Sequence, residues 1–109
     1  MLVVFNFKNQ MSIKQQLELL EKFNQPISKQ HQLIIAPIIP NYNDYHFDIA
    51  VQNLSIKGRN VGDLSPQHLK HYNINYAFVG HLERQKYLNE TTRMIRSKID
   101  NALQKDIIP

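Results

Sequence analysis

The chain has 109 residues, of which 42% are hydrophobic and 20% charged, a composition that fits one domain over residues 1–109 and excludes disorder. Its formal charge is +4, but the basic residues are scattered, so we expect no nucleic-acid partner. The absence of cysteine excludes disulfides, thiolate metal ligands and a cysteine nucleophile, and without an apolar run long enough for a signal or a membrane span we expect a cytoplasmic protein with no membrane partner.

The first half of the chain predicts three strands and one helix. Residues 2–7 predict a buried strand, and the segment from Ser12 to Gln15 has the form of a capping box that opens a helix. Residues 33–36 predict a second buried strand stopped by proline, residues 41–46 a loop or short irregular helix, and residues 48–53 a third strand. The helix is predicted to bury one apolar face, made of Ile13, Leu17, Leu20 and Phe23.

The second half continues the alternation of strands and helices. Residues 54–64 predict a long loop, which is a candidate binding loop, and Ser65-Pro66 is a helix start for a segment that ends around Asn73. Residues 76–80 predict a fourth strand, and Ile107-Ile108 would open a fifth. Such alternation predicts an α/β fold with a parallel sheet. A last helix, capped within residues 89–92, is predicted to bury Ile95, Ile99, Ala102 and Leu103.

Polar side chains suited to chemistry follow three of the four predicted strands. Because the carboxyl ends of parallel strands share one edge, where α/β proteins bind their ligands, these residues predict one shared site. They are Asn6 and Lys8 after the first strand, Gln52 and Asn53 after the third, and His81 and Glu83 after the fourth.

Each of these residues has a functional and a structural interpretation. Lys8 could bind an anion or be a solvated strand-end lysine, and Gln52-Asn53 could orient a neighbouring Lys or His or simply end a strand. His81, near the start of a short helical turn, could be a neutral hydrogen-bond donor to a substrate oxygen or a structural histidine. Glu83 could carry protons or form a surface ion pair with Arg84.

No metal site or phosphate-binding glycine loop is predicted. Two histidines, His68 and His71, lie three residues apart, but no cysteine or nearby carboxylate pair completes a coordination shell. The dinucleotide, P-loop and serine-hydrolase motifs are also absent from the sequence.

Taken together, several separated motifs resemble the N-terminal half of triosephosphate isomerase over essentially the whole chain. The resemblance implies a fold of half a (β/α)₈ barrel, with four parallel βα units, in a family that is usually homodimeric. It also implies interconversion of dihydroxyacetone phosphate and glyceraldehyde 3-phosphate without a cofactor. The motifs are Asn6-Phe7-Lys8, Ala36-Pro37, Gln52-Asn53, residues 58–66, Gly80-His81-Leu82-Glu83-Arg84 and Glu90-Thr91.

The resemblance also implies roles for individual residues. Lys8, with Asn6 beside it, would bind triose phosphate and offset enediolate charge. His81 would be the neutral electrophile that polarises the carbonyl, and Glu83 would support it by pairing near Lys8. The neutral histidine belongs to the known mechanism of that family, and the resemblance implies it for His81.

A loop of this chain resembles the family's dimer loop, which reaches into the neighbouring subunit's site. It comprises residues 58–63, with Gly58, Val61, Gly62 and Asp63 as its notable members. The sequence departs from the family pattern here, with Val61 for the usual Thr and Asp63 for Glu. Further departures flank the histidine motif, with Leu82 for Ser and Gln85 for a second Arg.

A complete (β/α)₈ barrel needs about 250 residues. We therefore expect the isolated chain to have little activity, because the family's glutamate base and phosphate loops lie in the other half. Open sheet edges at the first and fourth strands and an uncovered inner face predict self-association or a complementary C-terminal half. Two alternatives stay open: a non-catalytic paralogue or interaction module that keeps the scaffold, and a truncated or split gene product.

Overall fold

The computed structural model describes residues 1–40, 44–58 and 61–109 and has the predicted order of strands and helices, with no helix between the second and third strands in these residues. The four strands are all parallel, in the order β1-β2-β3-β4, which confirms the α/β class. The elements are β1 (Leu2–Asn6), α1 (Ile13–Phe23), β2 (Gln32–Ala36), β3 (Asp48–Val51), α2 (Pro66–His71), β4 (Tyr76–Ala77), α3 (Leu82–Tyr87) and α4 (Thr92–Leu103).

Three strands are shorter than predicted, β1 by a single residue at Asn6 and β3 and β4 by more. β3 ends at Val51 and β4 at Ala77, so Gln52, Asn53 and residues 78–80 leave the strand ladder at the carboxyl edge of the sheet. Residues 44–46 form a loop, one of the two predicted forms, whereas residues 41–43 of the same predicted segment lie outside the described residues.

The outer edge of β4 is not free, contrary to the prediction of open edges at both the first and fourth strands. The backbone N–H of Ala77 donates to the Ile108 carbonyl at 3.0 Å, and the N–H of Ile108 donates to the Asn75 carbonyl at 2.8 Å. This parallel bridge is the start of the expected fifth strand. Within the described part of the chain, the open edge is therefore that of β1.

Successive strand residues point to opposite faces of the sheet, and the two faces differ in how well they are covered. The outer face packs against the helices, with Ile35, Ile49 and Val51 in contact with a core that includes Leu20 and Leu69 and also Phe7, Phe47, Leu54, Ile74, Ala77, Ala102 and Ile107. The inner face carries a smaller cluster of Ile34, Ala36 and Ala50 with Tyr76 and Phe78 packed against it.

The inner face opens into an apolar cavity of about 360 Å³. The β1 residues Leu2 and Val4 line it and remain 59% and 45% exposed. The prediction of a buried first strand is therefore wrong, because β1 is an edge strand whose inner side chains line this cavity and remain largely exposed.

The predicted apolar face of α1 is only partly correct. The capping box of Ser12 and Gln15 is present and Leu20 is fully buried, but Ile13 and Leu17 are 43% and 41% exposed. The buried position one turn before Leu20 is instead Gln16, whose side-chain oxygen accepts from the backbone N–H groups of Ile38 (2.6 Å) and Ile39 (3.3 Å). The helix is rotated toward this amide because those N–H groups, just after β2, need a buried acceptor.

The predicted face of α4 is also only partly correct, since Ile95 and Ile99 are half-buried rather than buried. Thr91 caps the helix and Ala102 is buried, but Leu103 is exposed and the other buried residue is Lys98. A lysine takes this core position because its ammonium group has partners there, which are described below.

Candidate active site

The polar residues predicted from the three strand ends line one cavity of about 410 Å³. Lys8 and His81, which come from opposite ends of the sequence and of the sheet, therefore face the same space. The six predicted residues in the lining are Asn6, Lys8, Gln52, Asn53, His81 and Glu83, and they are joined by Asn9, Arg84, Tyr87 and Leu88.

Lys8 sits on a sharp backbone turn directly after β1. Its φ angle is +51°, in the left-handed region that non-glycine residues rarely adopt. The Lys8 backbone N–H donates to Asn6 Oδ1 at 2.8 Å, and its carbonyl accepts from Gln52 Nε2 at 2.7 Å. The lysine backbone is thus held by side chains that follow two different strands.

His81 begins α3 and caps it with its own ring. Its Nδ1 accepts a hydrogen bond from the backbone N–H of Glu83 at 3.2 Å. A ring nitrogen that accepts carries no hydrogen, so this contact leaves Nε2 as the donor nitrogen of the His81 ring.

Gly80 sets the approach of the chain to His81. Its φ is +71°, and a Cβ at this position would lie 3.1 Å from the Ile95 side chain. Both the backbone conformation and the packing therefore require glycine. Gln85, which stands where the family has arginine, donates from Nε2 to the Gly80 carbonyl at 2.6 Å, so the departure from the family pattern still makes a contact beside His81.

Lys8 and Glu83 form an ion pair across the mouth of the cavity, with Nζ and Oε1 at 2.9 Å. The hydrogen bond from Lys8, followed by its Coulomb attraction, holds the pKa of the Glu83 carboxyl below its usual value of 4.5. Both side chains are about half exposed, so the pair orients the ammonium group more than it stabilises the fold.

Replacing Lys8 by Met is expected to raise the pKa of Glu83 toward 4.5, because the hydrogen bond and the nearby positive charge are both lost. Since the folded-state pKa of Glu83 is lowered, its contribution to stability is present above the unfolded pKa and disappears as the pH falls through the folded value. A carboxyl ¹³C titration of both proteins by NMR measures this shift. An unchanged titration midpoint would show that the ion pair does not persist in solution.

The loop over residues 54–64 contacts the site through a hydrogen bond between Asp63 and Asn53. Gly58 and Gly62 have φ angles of +124° and +87°, Val61 is fully exposed, and Asp63 Oδ1 accepts from Asn53 Nδ2 at 2.9 Å. The loop residues Arg59 and Asn60 lie outside the described residues.

Asn53 also contacts a buried ion cluster, which the sequence analysis did not predict. Its Oδ1 accepts from Lys98 Nζ at 2.7 Å, and Lys98 is also hydrogen bonded to Glu90, with side-chain exposures of 2% and 1% for the two. Arg84 Nε lies 3.5 Å from the same Glu90 oxygen. The available signal was Lys98 at helical spacing between Ile95 and Ala102, where a core residue is expected.

Two further properties bear on the kind of site. In the described ranges, no helix is both long and apolar enough to cross a membrane. Within the same residues, no cluster of three or more His, Cys, Asp and Glu side chains is arranged to hold a metal ion.

These features define a class of protein, an α/β protein whose parallel sheet carries a polar site at its carboxyl edge. The family model of triosephosphate isomerase matches residues 1–109. The chain belongs to the triosephosphate isomerase family, and its four parallel strands with their helices fit half of that family's barrel.

Individual relatives agree with this assignment. The triosephosphate isomerase of Mesomycoplasma hyorhinis is 31% identical over 122 residues, covering 99% of this chain and 50% of the relative. That of Clostridium botulinum (strain Loch Maree / Type A3) is 24% identical, covering 99% and 48%. That of Dictyoglomus turgidum is 40% identical over 53 residues, covering 49% and 21%. The chain thus spans about half the length of the first two.

Proposed function

We propose that residues 1–109 act as one domain that supplies the lysine and histidine half of a triosephosphate isomerase site, working in glycolysis and gluconeogenesis in the cytoplasm. The observation that carries the proposal is the meeting of Lys8 and His81 in one cavity, with His81 Nδ1 occupied by the Glu83 N–H. An ammonium and a ring N–H donor in this arrangement suit a phosphorylated three-carbon ketone or aldehyde.

The two residues would act at different parts of the substrate. A base removes a proton from the carbon next to the carbonyl of dihydroxyacetone phosphate, and the resulting enediolate is reprotonated on the neighbouring carbon to give glyceraldehyde 3-phosphate. His81 Nε2–H would donate to the carbonyl oxygen as it becomes negative, and Lys8 would bind the phosphate and offset the enediolate charge. Asn6 would hold the Lys8 turn, and Glu83 would orient the Lys8 ammonium.

The cavity does not itself provide a suitable base. Among the described lining residues, the carboxylate is that of Glu83, which is paired with Lys8 at 2.9 Å and has a lowered pKa. A weakly basic, paired carboxylate is a poor proton acceptor. We therefore propose that the base comes from outside this domain and that the domain alone has little isomerase activity.

The uncovered inner face and the free edge of β1 are where a completing partner would dock. The proposed partner is a complementary C-terminal half with the remaining βα units, because the relatives are about twice as long and the Ile108 bridge already continues the strand order beyond β4. Self-association is the second possibility, through the same face or through the loop of Gly58, Val61, Gly62 and Asp63. A second copy would have to displace Ile108 from β4 to close a barrel of eight strands.

Binding of a phosphorylated carboxylate that mimics the enediolate tests whether the site works. We expect saturable binding by NMR with shifts at Lys8 and His81, and a loss of about 10- to 100-fold in affinity in Lys8→Ala, because hydrogen bonds to charged groups contribute about 1.5–3 kcal/mol. The matched control is Lys14→Ala, which removes another exposed lysine paired with a glutamate, at 4.0 Å, on α1.

The binding experiment also distinguishes a chain with a working substrate site from a scaffold that binds no substrate. If Lys8→Ala and Lys14→Ala lower the affinity equally, the mimic binds only by non-specific attraction to a basic protein. No binding by the folded wild-type chain would favour the non-catalytic interaction module.

A further inference from the structure

Lys8 has a backbone conformation that must be held from outside. Left-handed φ angles in non-glycine residues are strained and persist where surrounding contacts enforce them. The φ of Lys8 is +51°, and the turn decides the direction in which its side chain leaves the end of β1. Whatever fixes this turn also fixes the position of the ammonium group.

Gln52 makes the contacts that can do so. Its Nε2 donates to the carbonyl of Lys8 at 2.7 Å and also lies 3.0 Å from the carbonyl of Pro37 and 3.2 Å from that of Ala36. These carbonyls follow or end β1 and β2, whereas Gln52 follows β3. One amide group therefore ties together the carboxyl ends of three neighbouring strands.

The second side-chain contact with the Lys8 backbone is local, unlike that of Gln52. Asn6 Oδ1 accepts from the Lys8 N–H at 2.8 Å, but the two residues belong to the same strand end. This local bond stabilises the turn but does not connect it to the other strands. Gln52 instead connects the turn to the β3 and β4 side of the site, where Glu83 accepts a hydrogen bond from the Lys8 ammonium.

We propose that Gln52 is a positioning residue that holds the left-handed Lys8 turn and so aims the ammonium group across the cavity. The role of Lys8 toward substrate rests on the proposed function, but the effect of Gln52 on Lys8 does not. Gln52 acts through the lysine backbone and needs no contact with substrate.

The test variant is Gln52→Met, which keeps the length of the side chain and removes its hydrogen bonds. The matched control is Gln32→Met, because Gln32 is another glutamine bridging strands, with Nε2 at 2.9 Å from Asp48 Oδ2 and 2.7 Å from Tyr76 Oη. Gln32 lies at the amino ends of the strands, away from Lys8.

The first measurement is the pKa of Glu83 by carboxyl NMR titration. In Gln52→Met we expect it to rise toward 4.5, because the displaced ammonium no longer donates to Glu83, and in Gln32→Met we expect the wild-type value. The second measurement is affinity for the enediolate mimic, which we expect to fall about 10-fold in Gln52→Met and to stay unchanged in Gln32→Met.

The results separate this proposal from the proposed function. A wild-type Glu83 titration in folded Gln52→Met, or equal shifts in both methionine variants, would overturn the positioning role. Failure of the wild-type chain to bind the mimic would overturn the proposed function and leave the Glu83 titration as the test of Gln52. If Gln52→Met does not fold, Gln52→Asn, which keeps an amide too short to span the three carbonyls, must show the same direction of shift.

Discussion

Replacing Lys98 by Met is expected to lower the free energy of unfolding by about 3–5 kcal/mol, the usual cost of removing one member of a buried ion pair. Lys98 and Glu90 are almost fully buried, so their charges depend on each other and not on water. Glu90 Oε2 has no hydrogen-bond partner among the described residues, and the variant would leave this carboxylate with only Arg84 near its other oxygen.

Urea unfolding followed by circular dichroism measures the loss. Two controls make it specific. Lys14→Met, at an exposed pair with Glu18, should cost less than about 1 kcal/mol. The double variant Lys98→Met/Glu90→Leu should be more stable than Lys98→Met alone, because the buried carboxylate that lost its lysine is gone and the remaining Arg84 side chain is 32% exposed to water. A double variant as unstable as the single one would mean that shape, and not charge, decides the stability of this cluster.

Complementing the chain with the unmatched C-terminal half of the Mesomycoplasma hyorhinis relative is expected to produce isomerase activity, and His81→Asn in the complex is expected to lower kcat by about 10²–10³-fold. That loss is typical when one donor to a developing oxyanion is removed. Asn is chosen because it is a favourable helix N-cap, so it can replace the hydrogen bond that Nδ1 accepts from the Glu83 N–H. The substitution thus removes the Nε2–H donor and leaves the start of α3 capped.

A coupled assay of triose phosphate interconversion measures this effect. His68→Asn on α2 is the matched control, because His68 does not line the cavity. An active complex in which both Asn variants keep full kcat would exclude His81 as the electrophile. Activity of the chain without its complement, abolished in His81→Asn, would instead show that the base lies within these 109 residues.

The meeting of the site residues could be predicted, because each of them lies at or just after the end of a predicted parallel strand. Parallel strands bring their carboxyl ends to one edge, so the positions of Lys8, Gln52 and His81 in the sequence already place them together. The capping signals of Ser12 and Thr91 were equally readable, since they depend on residues only three apart.

Burial could not be predicted in the same way, because it depends on partners far away in sequence. Gln16 and Lys98 take core positions only because the Ile38 and Ile39 N–H groups and the Glu90 carboxylate are brought to them by folding. Periodicity left these two polar residues off the predicted core faces, and it assigned Leu17 and Leu103 to a core that they do not reach. Hydrophobic spacing gives the period of a helix but leaves its rotation open when polar groups are buried.

The exposed edge of β1 has a consequence for how this polypeptide must be handled. Residues 1–7 carry no charged side chain and no proline, and five of them form the strand whose outer backbone groups have no neighbouring strand in the described part of the chain. Segments of this kind template fibrils when they meet identical copies. Completion of the barrel therefore competes with aggregation, and a complement added during synthesis will recover more protein than one added afterwards.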